Sequence, residues 1–226
     1  MNYKNLIMNN QDPKYKEKTI TIVDYGLGNI LSVSRAFAYL GCNVALAKNS
    51  DEIEKASYLV LPGVGAFKKG MYELQAHQLI EPIKDYAKSG RPLLGICLGM
   101  QLLFESSEEI EICKGLEILS GHVKRIVSTD SNLKVPHIGW ANLSMNPFHP
   151  NYSQDRFVNS LEKASVYFVH SYHPVTSKKN ILAVSDYYHH EITSAVLENN
   201  IWGYQFHPEK SGKAGLELLK LFLSFS

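Results

Sequence analysis

Between Thr19 and Glu105 the chain repeats one pattern: a short apolar run, a glycine-marked turn, then apolar residues at helical spacing. TITIV at 19–23 passes through DYGLGN into a helical pattern carried by Ile30, Val33, Phe37 and Leu40 and stopped by Gly41. Strands are then predicted at 43–47, 58–62 and 92–96, with helices near 51–56, up to Lys88, and over 99–106. Such runs are too short for buried helices and lack polar alternation, so they suit strands covered on both faces. Strands alternating with helices build βαβ units. The expected fold class is α/β, a mostly parallel central sheet flanked by helices.

The second half reads differently. Strands near 115–119, 121–127, 135–140, 166–170, 181–185, 194–197 and 201–206 follow one another with little helix between them, which predicts an added antiparallel β layer. Residues 141–164, rich in Asn and Pro, are expected to be a long surface connection. A last helix over 212–224 aligns Leu216, Leu219, Phe222 and Leu223 for packing on the sheet. The polar stretch 1–18 is expected to be a mobile lead-in, with one domain over 19–226.

Composition removes several classes of function. Lys plus Arg is 23 and Asp plus Glu 22, a net charge of +1, which offers no electrostatic case for nucleic acid or an anionic membrane. Cys42, Cys97 and Cys113 are sparse, odd in number and without a C-x-x-C pair, against both a disulfide framework and a zinc ribbon. Residues 1–18 hold no apolar run of the length a signal peptide needs, and no 18-residue apolar run for a membrane span occurs along the chain. The expectation is a soluble protein of a reducing compartment, cytoplasmic, with no metal.

The strongest local signal is PLLGICLGMQLLFE at 92–105, where an apolar strand enters G-x-C-x-G and then a helix. That is the logic of a nucleophile elbow: flanking glycines permit a sharp strand-to-helix turn that leaves the Cys97 side chain exposed above the sheet edge. The N-terminus of a helix favours thiolate over thiol. The N–H of Leu98 is placed for an oxyanion hole. The alternative is a buried cysteine in a tight turn, and the motif alone divides evenly between the two.

GYQFHPE at 203–209 follows another apolar strand and offers His207 as base, with Glu209 two residues on to orient it and offset imidazolium charge. Alone this is more often an ordinary turn; beside a cysteine elbow the catalytic reading is favoured. In LPGVGAF at 61–67, Gly63, Val64 and Gly65 form a loop whose backbone can approach a ligand, as oxyanion donor or carboxylate cradle. DYGLGN lacks the third glycine of a dinucleotide fingerprint. His137, His170 and His173 lie in different strands or strand ends without metal-ligand spacing.

Cys97, His207 and Glu209, with PGVG and GICLGMQ, resemble the class I (triad) glutamine amidotransferases. DYGLGNI, LPGVGAF, GICLGMQLLFESSEE, KVPHIGW, YFVHSY and QFHPEKSG, in that order, narrow the resemblance to glutaminase subunits that serve a cyclase, over nearly all of 19–223. The resemblance implies that Cys97 attacks the side-chain amide of glutamine, His207 moves protons and Glu209 orients His207. It further implies that Gln101 and Ser171 hold the α-amino acid end of glutamine, and that Trp140 and Lys210 face the partner. No cofactor is implied. The implied partner is a (β/α)8 cyclase subunit, in a heterodimer, that takes up the ammonia. Related subunits feed synthetases that amidinate sugars for surface polysaccharides. A Cys-His peptidase or amidase fits the elbow but gives no reason for Gln101 or KVPHIGW, and a scaffold with a dead site gives none for an intact triad.

Overall fold

The computed structural model describes residues 13–127 and 134–225. In chain order the first half runs β1 (Thr19–Val23), α1 (Ile30–Tyr39), β2 (Asn43–Ala47), α2 (Ser50–Glu54), β3 (Tyr58–Gly63), α3 (Phe67–Ala76), α4 (Ile80–Lys88), β4 (Leu93–Cys97) and α5 (Leu98–Leu102). The second half continues with β5 (Phe104–Ser107), β6 (Cys113–Lys114), β7 (Leu119–Arg125), β8 (His137–Asn142), β9 (Ser144–Met145), α6 (Asp155–Leu161), β10 (Ser165–His170) and β11 (Tyr172–Val175). The chain closes with β12 (Ile181–Tyr187), β13 (His190–Glu198), β14 (Ile201–Tyr204) and α7 (Gly212–Leu223).

Eight strands form the central sheet in the order β2-β1-β3-β4-β14-β13-β12-β9. Its first five are mutually parallel, and β13, β12 and β9 extend it antiparallel. Two small sheets lie apart from it: an antiparallel ribbon of β8 and β10, and a four-stranded sheet in the order β11-β7-β5-β6. The parallel strands are buried on both faces, as their apolar runs require. In β3, Tyr58 and Val60 join one hydrophobic cluster while Leu59 and Leu61 join the other, the period-two alternation of a strand sandwiched between two layers.

Three expectations change. Helix 99–106 is only the single turn α5, and the chain then becomes β5. The carbonyls of Leu102, Leu103 and Phe104 accept the N–H groups of Leu116, Ile118, Leu119 and Glu117, so distant backbone replaces the next helical turn. The strand expected over 115–119 is correspondingly displaced, β6 ending before it at Lys114 and β7 starting only at its last residue, Leu119. Second, 141–164 is no surface connection: it holds β9 and α6, and Leu143, Met145, Phe157 and Leu161 are buried in the main core. Third, the end of the lead-in is anchored at Tyr15 and Lys18. Tyr15 is buried in the core, Lys18 hydrogen-bonds the Tyr58 hydroxyl, and Asn43 N–H donates to the Lys18 carbonyl at 2.9 Å. The mobility expected of residues 1–12 concerns chain outside the described residues.

Adjacent parallel strands β3, β4 and β14 all deliver their carboxyl ends to one edge of the sheet. Gly63 pairs with Cys97, and Ile96 with Tyr204. The PGVG loop, the elbow and the HPE turn therefore leave the sheet side by side, where ligands bind in open parallel sheets.

Candidate active site

Cys97 closes β4 with φ +55° and ψ −114°, a conformation that costs a non-glycine residue about 1–3 kcal/mol. The surrounding structure holds it there. The two flanking glycines serve a different purpose from the one expected of them, because the left-handed residue is the cysteine itself. A Cβ on Gly99 would lie 1.8 Å from the Leu61 carbonyl oxygen, and one on Gly95 would lie 2.6 Å from Met100 Cα. They let α5 pack directly against β3 and its own strand, which fixes the height at which the thiol stands. Because α5 is one turn long, its contribution is the local N–H groups of its first residues rather than a long helix dipole.

His207 arrives from β14 through Gln205 and Phe206. Its backbone N–H donates to the Tyr167 carbonyl at 2.9 Å, and its Nδ1 meets Glu209 Oε1 at 2.8 Å. Both side chains are almost fully buried, at 2% and 1% exposure. Burial alone would lower the His207 pKa. Interactions with Cys97 and Glu209 outweigh it and push the value up to about 10. His207 Nε2 and Glu209 Oε2 have no hydrogen-bond partner among the described residues. One imidazole nitrogen is thus committed to the carboxylate and the other is left for chemistry.

Cys97 and His207 share a cavity of about 290 Å³. Val64, Gly65, Leu98, Gln101 and Ser171, all expected from the sequence, border it as well. Gly63 does not: it ends β3 against Gly99 and the Tyr25 hydroxyl, which itself donates to the Pro62 carbonyl at 2.9 Å. Glu209 stands behind His207, outside the cavity lining. Gln101 Nε2 donates to the Tyr172 carbonyl at 2.9 Å and to Gln205 Oε1 at 3.0 Å, so its amide is clamped from two sides. Trp140 and Lys210 are not among the residues lining the cavity; each lies beside the Tyr167 ring. The Trp140 and Tyr167 rings are 5.9 Å apart, and Lys210 Nζ is 6.0 Å from the Tyr167 ring. Trp140 is 58% exposed, on the outward face of the β8–β10 ribbon with Ile138 and Val169.

The cavity is also lined by Glu109 and Pro136, which sequence reading missed, and by Val169, His170 and Tyr172, which flank Ser171 in YFVHSY, where the resemblance implies backbone contacts to the substrate. Glu109 Oε2 accepts the N–H of Phe67, the first residue of α3, at 2.6 Å. That contact spans 42 residues, and nothing in ESSEEIE distinguishes this carboxylate from its exposed neighbours. No group of metal-ligating side chains occurs among the described residues. Two of the histidines that linear spacing left apart, His137 and His170, are in contact.

The family model of glutamine amidotransferase class-I matches residues 21–224. The chain is 44% identical over 209 residues to the imidazole glycerol phosphate synthase subunit HisH 1 of Legionella pneumophila (strain Paris), covering 91% of this chain and 98% of that protein. It is 43% identical over 208 residues to the imidazole glycerol phosphate synthase subunit HisH of Geobacillus sp. (strain WCH70), covering 91% and 96%. Among solved structures, the PurLQS structure from Thermotoga maritima superposes with a TM-score of 0.67 at 19% identity, over 92% of this chain and 98% of that one. At that identity the likeness concerns the fold.

Proposed function

The chain belongs to the class-I glutamine amidotransferases, and from that premise we propose that it is the glutaminase subunit of an imidazole glycerol phosphate synthase. It hydrolyses glutamine to glutamate and ammonia and supplies the ammonia to a (β/α)8 cyclase subunit, which makes imidazole glycerol phosphate and AICAR in histidine biosynthesis. The extent of likeness to the Legionella and Geobacillus subunits supports the pathway. One observation carries the chemistry: a cysteine held at positive φ opens into the same cavity as a buried histidine that a buried glutamate clamps at 2.8 Å.

The mechanism follows from the placement. The Cys97 sulfur, as thiolate, attacks the γ-carboxamide carbon of glutamine. The Leu98 N–H and the Val64–Gly65 peptide line the side where the oxyanion develops. His207, protonated and held in orientation by Glu209, gives its proton to the amide nitrogen, and the carbon–nitrogen bond breaks to release ammonia. The neutral imidazole then takes a proton from water, whose oxygen attacks the thioester. Glutamate leaves, and sulfur and imidazole regain their starting charges. Elsewhere in the cavity lining, Gln101 and Ser171 serve the α-amino acid group, and the Glu109 carboxylate is the natural counter-charge for the α-ammonium.

Trp140 and Lys210, gathered on Tyr167, form part of the partner-facing surface. We take residues 19–226 as one amidotransferase domain. No helix among the described residues is long and apolar enough to cross a membrane, and the cysteines are free, which suits a cytoplasmic protein.

Glutamate release, measured for the chain alone and with the cyclase bound to its nucleotide ligand, tests this reading. Strong stimulation is expected, with Cys97→Ala inactive and a glutamine-analogue electrophile labelling Cys97 alone. Labelling of Cys42 or Cys113, with Cys97→Ala still active, overturns the elbow assignment. Stimulation only by a sugar-amidinating synthetase moves the subunit to another pathway.

A further inference from the structure

The β8–β10 ribbon carries an outward apolar face and, on its other side, an unusual polar pair. His137 and His170 stand opposite each other in the register and are buried. His170 Nδ1 is 2.9 Å from the Tyr172 carbonyl, which can only accept, so Nδ1 carries the proton and Nε2 of the neutral ring is an acceptor. His137 Nδ1 lies 3.1 Å from that Nε2 and is therefore the donor. Both tautomers follow from one carbonyl. The His137 ring is stacked between Phe168, at 4.7 Å, and Tyr187, at 3.9 Å, which leaves it little freedom to rotate. Burial pushes its pKa down to about 4 and that of His170 down to about 3, with His137, His173 and His207 adding repulsion at His170. Both rings stay neutral through the physiological range.

The Tyr172 carbonyl that ends this chain of hydrogen bonds is the same one that accepts from Gln101 Nε2. His170 is the last residue of β10, Ser171 is the step between the two small sheets, and Tyr172 opens β11. The Ile126 N–H donates to the Ser171 carbonyl at 2.9 Å. The path His137 to His170 to Tyr172 to Gln101 thus runs from the ribbon bearing Trp140 to the cavity wall. We infer that His137 and His170 are positioning residues for glutamine binding, which set the Tyr172 carbonyl, and through it the Gln101 amide, from the ribbon that carries the partner-facing surface. The inference rests on the glutaminase reading for what Gln101 binds. It adds two residues that touch neither sulfur nor leaving group.

The test uses the complex of the full chain with its cyclase partner. His137→Phe keeps the ring stack and removes the donor, leaving His170 Nε2 buried without a partner. His137→Asn places an amide N–H near the position of Nδ1. Glutamine KM is expected to rise about tenfold in His137→Phe with kcat within about twofold, and to return most of the way in His137→Asn. An unchanged KM in His137→Phe overturns the inference, as does a fall in kcat at constant KM, or an Asn variant as impaired as the Phe variant. A wild-type complex that releases no glutamate indicts the glutaminase reading instead. The tie itself is then read from histidine 15N shifts of the unmodified chain. Both rings should be Nδ1–H tautomers and stay neutral down to roughly pH 5.5. Titration of either near the ordinary histidine value of about 6.5 overturns the tie.

Discussion

His207 keeps a proton that its burial would otherwise expel, and the sign of that balance makes a prediction. Its folded pKa, near 10, lies above the unfolded value of about 6.5. The interactions behind the shift therefore add stability in full below about pH 6.5, and lose it as pH rises through the folded value. Glu209 is one of the causes of the rise. Replacing it by Gln keeps the shape and removes the charge, so His207 should lose its proton at lower pH. In Glu209→Gln the alkaline limb of the kcat/KM profile should move down by about one pH unit or more, with a reduced maximum. A limb at the wild-type position with wild-type rates would separate Glu209 from the chemistry. His207→Asn should be the more damaging change, since it removes the proton carrier and not only its orientation.

At the level of elements, the instructive segment is α6 and the chain before it. Its sequence is dominated by Asn, Pro and other polar residues, and its apolar side chains follow neither a strand nor a helix period for long. Even so, Phe157 lies parallel to Trp202, at 6.0 Å between ring centroids and 9° between planes, and both are fully buried. Phe157→Ala should cost about 3–5 kcal/mol of unfolding free energy, measured by urea denaturation of the chain, because the cavity would open under a central strand. A loss below about 1 kcal/mol would mean that α6 is a surface feature after all. The short α5 shows the same competition in reverse. LGMQLLFE has helical pattern for two turns, but backbone donors from 116–119 claim its carbonyls after one.

For the whole molecule, the main relation is between the cavity and the ribbon that looks outward. Tyr167 joins them: its carbonyl holds His207 N–H, and its ring sits beside both Trp140 and Lys210. Trp140→Ala should raise the Kd for the cyclase by about tenfold or more, read by titration calorimetry, as truncation of an exposed aromatic anchor does at an interface centre. An unchanged Kd would move the partner surface off this ribbon. Periodicity and glycine placement along the chain sufficed for β1 to β4 and for turns at Cys97 and at His207–Glu209, because each is local: a strand, a turn and a two-residue spacing. β14 reads from sequence as one of the antiparallel strands, and the two turns gain a catalytic reading only when taken together. Glu109, His170 and Tyr172 could not be read that way. Their roles depend on hydrogen bonds to backbone or side chains that other strands and helices bring alongside, and no local pattern distinguishes a residue that meets such a partner from one that meets water. The same holds for the two glycines of the elbow: their spacing announced a turn, but it took the packed fold to reveal that they serve the close approach of α5 to the sheet while the cysteine itself bears the strained φ.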